Sequence, residues 1–479
     1  MRSIPCPLQK NARRFPDHPA IIHGRLTLSY AEFERAVNRT TRVLLASGCK
    51  KQDRVGIADP NSPEYLIMIF ALWRLGAVSC HLNTRLPEKA LVEQLRRTRC
   101  RYLVTTFPNL LNSRRISIPR WSLEEICHRG PKTLPQAKTL KAEFALNQDL
   151  TIMFTSGSTD VLKAVLHTFG NHYYSAKGSN ENIPVESSDR WFLTLPLYHV
   201  GGLSILFRVL LGRGTIVIQD PEEDIVQSIK TYGITHVSLV ATHLYRLLQN
   251  KAAKTVLRGL KAILLGGSAI GDSLAREALR NRWPVCFSYG LTEMSSRVAT
   301  THFSDRTYPT RQGKILNYRQ VRISDEGEIL VKGPTLFKGY VDGNKILKPF
   351  DKKSWFHTGD LGEFVRPGEL RVTGRKDNMF ISGGENIQPE EIEYYLLQLK
   401  EVENALVVPV PDPEFGCRPA VFIKNVPGRT LDQKKIIRFL KRYLPKFKIP
   451  DHFFPWPDLI DEKDGKINRP SFIKLIPSA

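Results

Sequence analysis

Residues 150–168 read LTIMFTSGSTDVLKAVLHT. The first half is an apolar run of strand type, and it stops in a cluster of Gly, Ser and Thr followed by Lys163. Working outward, the same pattern recurs in RVGIAD from 54, YLVTTF from 102, WFLTLP from 191, TIVIQD from 215, HVSLVA from 236 and KAILLGG from 261, each set between amphipathic stretches. Short strands alternating with helices imply an α/β fold of mostly parallel sheets covered by helices. Gly- and Ser-rich loops at strand ends are where such sheets place ligands.

The texture changes near residue 374. After LRVTGRKDN comes SGGENIQPEEIEYYLLQL, where Pro389 ahead of Glu390 and Glu391 marks a helix start, with Ile392, Leu396 and Leu399 on one face. NALVVPVP and RPAVFIK then read as strands, and TLDQKKIIRFLKRYL as a helix stopped by Pro445. A chain of 479 residues exceeds one ordinary core. The expected division is a large N-terminal α/β domain, 1–375, and a small α+β C-terminal domain, 376–479.

Composition narrows the function classes. With 42% hydrophobic and 24% charged residues the chain is of globular type. Its longest apolar run, Tyr65 to Trp73, is too short for a bilayer span, and Lys10, Arg13, Arg14 and Asp17 leave no apolar signal core, so a cytoplasmic protein is expected. The seven cysteines form no CxxC pair, and no His/Cys cluster has metal-ligand spacing. Net charge is +23, yet residues 377–479 hold 15 Lys+Arg against 15 Asp+Glu, so the whole excess, 55 against 32, lies in residues 1–376. That field suits polyanionic small molecules, a nucleic-acid or membrane surface, or a generally basic surface of no specific consequence, and no nucleic-acid module accompanies it.

Three segments carry chemistry. In FTSGSTDVLKAVLHT, clustered backbone N–H groups, hydroxyls and Lys163 suit a triphosphate, although GxxxxGK[ST] is absent and an ordinary Ser/Thr turn fits as well. In SYGLTEM, 288–294, Thr292 and Glu293 offer hard oxygens to phosphate or Mg²⁺, or form a helix cap. In WFHTGDLG, Asp360 sits in a Gly-flanked turn that suits a ribose or an Asx-turn.

These segments, in order and together with PLYHVGG at 196, LLGGSAI at 264, GRKDN at 374, SGGENIQPEEIE at 382 and DGKINR at 464, resemble the adenylate-forming superfamily of acyl-CoA ligases, luciferases and peptide-synthetase adenylation domains. The resemblance spans nearly the whole chain. It implies an acid-CoA ligase that works through an acyl-adenylate on ATP, Mg²⁺ and coenzyme A, with a mobile C-terminal domain. By it, Ser156, Gly157, Ser158, Thr159 and Lys163 wrap the phosphates, while Gly267, Ser268 and Ala269 flank adenine and the acyl site. Tyr289 and Gly290 lie near adenine, Thr292 touches phosphate and Glu293 holds the magnesium. Asp360 and Arg375 take the ribose hydroxyls, Asp377 is the hinge, and Gly383 and Gly384 admit the pantetheine arm. Lys466 is the adenylation lysine, a cation suited to charge developing at the α-phosphorus. His199 matches the family's position at the acyl pocket.

THVSLVATHLYRLL from 235, LKAILLGGSAI from 260, GGENIQPEEIE from 383 and PDPEFGCRPAVFI from 411 are most similar to the o-succinylbenzoate–CoA ligase branch, of menaquinone biosynthesis. That acid is a dicarboxylate, and Arg208 in GGLSILFRVLL is the candidate cation for its second carboxylate, or else an arginine snorkelling to the surface. A ligase for another small aryl or medium-chain acid is the alternative. The phosphate loop departs from Thr-Gly-x-Pro-Lys-Gly at Asp160 and Leu162, which leaves room for a weakly active acid- or adenylate-binding protein.

Overall fold

The computed structural model describes residues 3–128, 143–155, 163–267, 270, 272–302, 313–383, 385–429, 432–457 and 469–476. All seven strand-type runs are strands. Arg54–Ile57 lies between Val78–His81 and Tyr102–Thr105, and Asp149–Thr155 extends the Val78–His81 side, all in parallel, within a sheet of eight strands. Arg190–Leu193, Thr215–Ile218, His236–Leu239, Ala262–Leu265 and Val285–Leu291 form the parallel part of a second sheet of thirteen.

Only about half of each sheet is parallel. Beyond Val285–Leu291 the second sheet continues antiparallel through Ser296–Thr300 to the hairpin Phe356–Arg366/Glu369–Arg375. In the first sheet, Asp149–Thr155 turns back on Lys163–Thr168, which then pairs with Gly339–Asp342. Thr155 and Lys163 are cross-strand partners, so Lys163 opens a strand rather than a helix. The described strands on either side of 156–162 are antiparallel neighbours, unlike the strand and helix that flank a Walker-type phosphate loop.

One apolar core joins the sheets. Tyr30–Ala46 begins with a capping box, Ser29 with Glu32. Pro63–Leu75 starts on the Ser62 cap and ends at Gly76, in the left-handed region. This second helix is apolar all round because it is buried all round, which accounts for the run Tyr65 to Trp73. Phe33, Phe70 and Trp73 from these helices share a cluster with Phe169 and Phe207 from Phe169–Asn182 and Val200–Gly212. The Trp73 and Phe207 rings are 5.4 Å apart.

The C-terminal part has its own core. Helix Pro389–Leu396 packs on the antiparallel pair Val402–Asp412/Gly416–Asn425, which His452–Pro455 extends in parallel. Ile392, Leu396, Val407, Val421, Ile436 and Leu440 meet there. The helix expected from TLDQKKIIRFLKRYL is shorter, Gln433–Leu440, capped by the Asp432 carboxylate.

Candidate active site

Lys163, Tyr340 and Glu293 come together where strand Lys163–Thr168 begins. The Lys163 ammonium lies 5.3 Å from the centre of the Tyr340 ring, and the Tyr340 hydroxyl donates to Glu293 Oε1 at 2.8 Å. Glu293 is buried, and burial pushes its pKa up while the Tyr340 hydrogen bond and the Lys163 charge pull it down. Thr292 is anchored from below, since its carbonyl accepts a 2.7 Å hydrogen bond from His167 Nε2. His167 therefore carries its proton on Nε2, leaving Nδ1 to accept from Thr151 Oγ1 at 3.4 Å; Thr151 in turn meets His172 Nε2 at 2.8 Å. Burial holds His167 neutral, its pKa lowered to about 4.

A second constellation forms where the hairpin Phe356–Arg366/Glu369–Arg375 approaches Val285–Leu291. Asp360 and Arg375 are cross-strand partners joined at 2.9 Å, and the Tyr289 hydroxyl donates to the other Asp360 oxygen at 2.6 Å. The far side of the same guanidinium reaches Asp377 Oδ2 at 2.9 Å. Burial raises the Asp360 pKa against the pull of Arg375 and Tyr289. Gly290 sits at a bulge where a Cβ would lie 2.3 Å from the Ser296 carbonyl oxygen, so no side chain fits. Gly267 follows Ala262–Leu265 at the end of a parallel strand.

Helix Val200–Gly212, which starts at His199 and carries Arg208, packs against strand Ser296–Thr300, the strand that follows Thr292–Met294. The surface alternative for Arg208 is excluded: it is 1% exposed. Its guanidinium packs 5.0 Å from the Trp191 ring centre and donates to Ser204 Oγ at 2.6 Å, while its Nε and Nη1 find no partner among the described residues.

A family model described as AMP-binding enzyme matches residues 8–341, and one described as AMP-binding enzyme C-terminal domain matches 391–466. The chain belongs to the AMP-binding enzyme family. Among its relatives, a 2-succinylbenzoate–CoA ligase of Bacillus cereus is 32% identical, covering 99% of both chains. That of Oceanobacillus iheyensis is 34% identical over 92% of this chain and 93% of its own. The o-succinylbenzoate CoA synthetase of Bacillus subtilis, solved with its acyl-adenylate intermediate, superposes with a TM-score of 0.87 at 29% identity over 98% of both chains. The same protein with ATP and magnesium gives 0.86 at 30% identity, covering 98% of this chain and 99% of that one.

The two constellations are neighbours, since the Asp360 charge acts on Glu293 and the Arg375 charge on Tyr340. A magnesium ion fits the first: Glu293 is a single buried carboxylate beside the Thr292 hydroxyl, and such an ion needs few protein ligands when a nucleotide supplies phosphate oxygens. No group of three His, Cys, Asp or Glu among the described residues makes a cage of its own. No described helix is long and apolar enough to cross a membrane.

In the C-terminal part, Gly383 takes φ +57, and its N–H donates to the Phe415 carbonyl at 2.9 Å. A Cβ there would meet the Phe415 ring at 2.8 Å. Ser156, Gly157, Ser158, Thr159, Ser268, Ala269, Gly384 and Lys466 lie outside the described residues. Arg469, three positions after Lys466, is held by Glu393 through contacts of 2.6 and 3.2 Å. Tyr340 and His167 are the residues beside Glu293 and Thr292 that motif reading missed.

Proposed function

We propose that this enzyme is a cytoplasmic 2-succinylbenzoate–CoA ligase of menaquinone biosynthesis. One carboxylate of the acid attacks the α-phosphorus of ATP, the bond to the bridging oxygen breaks and diphosphate leaves. The thiol of coenzyme A then attacks the acyl-adenylate, losing its proton as AMP departs. The observation that carries the substrate is Arg208, a buried guanidinium with free donors on the acyl side of the site. A buried cation of this kind calls for an anion, and a dicarboxylate brings one.

In this reading Lys163 and the loop Ser156–Thr159 hold the triphosphate, with Thr292 touching phosphate. Glu293 holds magnesium, which neutralises phosphate charge. Tyr289 and Gly290 border adenine with Gly267, Ser268 and Ala269. The Asp360–Arg375 pair takes the ribose hydroxyls. Lys466 stabilises the charge of adenylation. Asp377, at a domain boundary of 375/376, is the hinge, supported by the way its carboxylate shares Arg375 with Asp360. Gly383 and Gly384 admit the pantetheine arm, and His199 borders the acid. The excess positive charge of residues 1–376 steers ATP and coenzyme A inward.

The test is thioester formation over a panel of aryl and acyl acids, run beside acid-dependent exchange of diphosphate into ATP. 2-Succinylbenzoate should lead the panel. A different leading acid would refute the substrate, and exchange with no acid at all would favour a weakly active binding protein, the reading that Asp160 and Leu162 support.

A further inference from the structure

Arg208 is one of three arginines in the same interior. Arg297, on strand Ser296–Thr300, is 2% exposed, and Arg319 is 6% exposed. Their charges repel: Arg297 and Arg319 both act against Arg208, and Arg297 against Arg319. Among the described residues no carboxylate bonds any of the three; Glu181, which bonds Asn317 and Tyr318, draws on Arg319 only through space.

The three differ in what their donors do. Arg319 is fully used: Nε donates to the Arg297 carbonyl at 2.9 Å, Nη1 to the Asn317 carbonyl at 2.7 Å and Nη2 to the Ser175 carbonyl and hydroxyl at 3.0 Å. It is a structural cation that holds the backbone of Arg297. Arg297 makes one long bond, Nη2 to the Ser179 carbonyl at 3.4 Å, and its Nε and Nη1 are buried without partners. Arg208 likewise has Nε and Nη1 unpartnered. Two hydroxyls stand with them, Ser204 at 2.6 Å and Ser296 at 3.5 Å from Arg208 Nη2. Ser295 and Ser296 hold φ of +54 and +112, so two non-glycine residues are strained where the chain passes from Glu293 to Arg297. Two buried guanidiniums close enough to repel, with unpartnered donors and no carboxylate bonded among the described residues, call for an anion.

We propose that Arg297 is a second specificity-determining residue of the acid site, forming with Arg208, Ser204 and Ser296 an anion site for the carboxylate that does not react. The inference rests on the dicarboxylate reading above and adds a residue to it. Arg208 alone would tolerate a neutral polar group, through Ser204. A pair of guanidiniums demands full negative charge and so rejects monoacids of the same shape. Arg319 is the positioning residue behind them.

The test compares the full chain with Arg297→Gln and Arg297→Lys on 2-succinylbenzoate and on the two monoacids that each keep one of its carboxylates, 4-oxo-4-phenylbutanoate and 2-propanoylbenzoate. The preference for the dicarboxylate, as a ratio of kcat/KM, should fall about 30-fold or more in Arg297→Gln with the KM for ATP unchanged, and Arg297→Lys should restore part of it. Without acid, Arg297→Gln should melt no lower than the parent, because it removes a repelling buried charge. A parent that prefers the dicarboxylate and a glutamine variant that keeps the ratio would overturn the inference and leave the proposed function standing. A parent that rejects 2-succinylbenzoate but prefers another acid with a second anion, losing that preference in the variant, would keep the arginine pair and discard the substrate. No preference for a second anion in any acid would remove both. A variant that melts well below the parent and loses all acids alike would make Arg297 structural and overturn the inference.

Discussion

In the proposed function, the nucleotide side and the acid side of the site are built on opposite principles. On the nucleotide side every charged group answers another: Asp360 is held by Arg375 and Tyr289, and Glu293 by Tyr340 with Lys163 nearby. On the acid side Arg208 and Arg297 keep idle donors in a dry interior. A site that binds the same cofactor every time can be completed within the protein. A site that has to choose among acids leaves its most expensive group unanswered, so that only the right ligand completes it.

The largest effect should come from the one nucleotide-side charge expected from the C-terminal domain. Lys466→Ala should lower acyl-adenylate formation about 10³-fold, while thioester formation from preformed adenylate stays largely intact. Separate assays of the two half-reactions check this, and equal loss in both would break the picture of a lysine serving only the paired side.

On the unpaired side, Arg208→Leu should cost 2-succinylbenzoate about 3 to 4 kcal/mol in kcat/KM and spare the monoacids. Equal losses would mean that Arg208 is not the carboxylate anchor.

Histidines sharpen the contrast through pH. His167 has a folded pKa near 4, below the ordinary value of 6.5, so its contribution to stability is complete above pH 6.5 and drains away as the pH falls towards 4. His81, lowered to about 3, and His236, to about 4, act in the same direction. Asp59, raised to about 6 by burial, opposes them, since its cost to the fold is relieved as it takes a proton. In His167→Gln the difference in unfolding free energy between pH 8 and pH 5 should therefore shrink by about 2 kcal/mol. Denaturant titrations at the two pH values measure it, and an unchanged difference would show that His167 takes up its proton as readily in the fold as in the unfolded chain.

The smallest effect concerns Asp160, which lies outside the described residues. Where the family pattern has glycine, a carboxylate near the triphosphate repels it, and after Lys163 and magnesium offset most of that, about 1 kcal/mol remains. Asp160→Gly should then lower the apparent KM for ATP several-fold and leave that of the acid alone. Weaker ATP binding at low magnesium would instead make Asp160 a metal ligand.

Strands and the order of motifs were legible because both are local. TIVIQD and HVSLVA announce themselves within six letters, and the set from FTSGST to GKINR identifies the family by its sequence order. The antiparallel halves of the sheets were not legible, since hairpin return strands such as Ser296–Thr300 carry no crossover helix to mark them. His167 was invisible because its partner Thr292 is 125 residues away, and Tyr340 because Glu293 is 47 away. Arg208 was visible as a charge in an apolar run, but its companion Arg297, linked through Ser296 across 88 residues, was not.

The strand Pro19–His23 lies near the edge of the thirteen-stranded sheet, where Ile21 faces Ile216. Asn11 likewise bonds the carbonyl of Leu210, and Tyr30 that of Gly214. During synthesis the first thirty residues must therefore wait for partners nearly two hundred residues behind them, about 10 to 40 s at ordinary ribosome speed. Through that interval only the hairpin with Leu26–Ser29 and the helix Tyr30–Ala46 are at hand to cover the strand. Nascent chains stalled before residue 210 should be open to protease across residues 8–30, and those stalled well past 218 closed; early protection would mean that other contacts shelter the start of the chain.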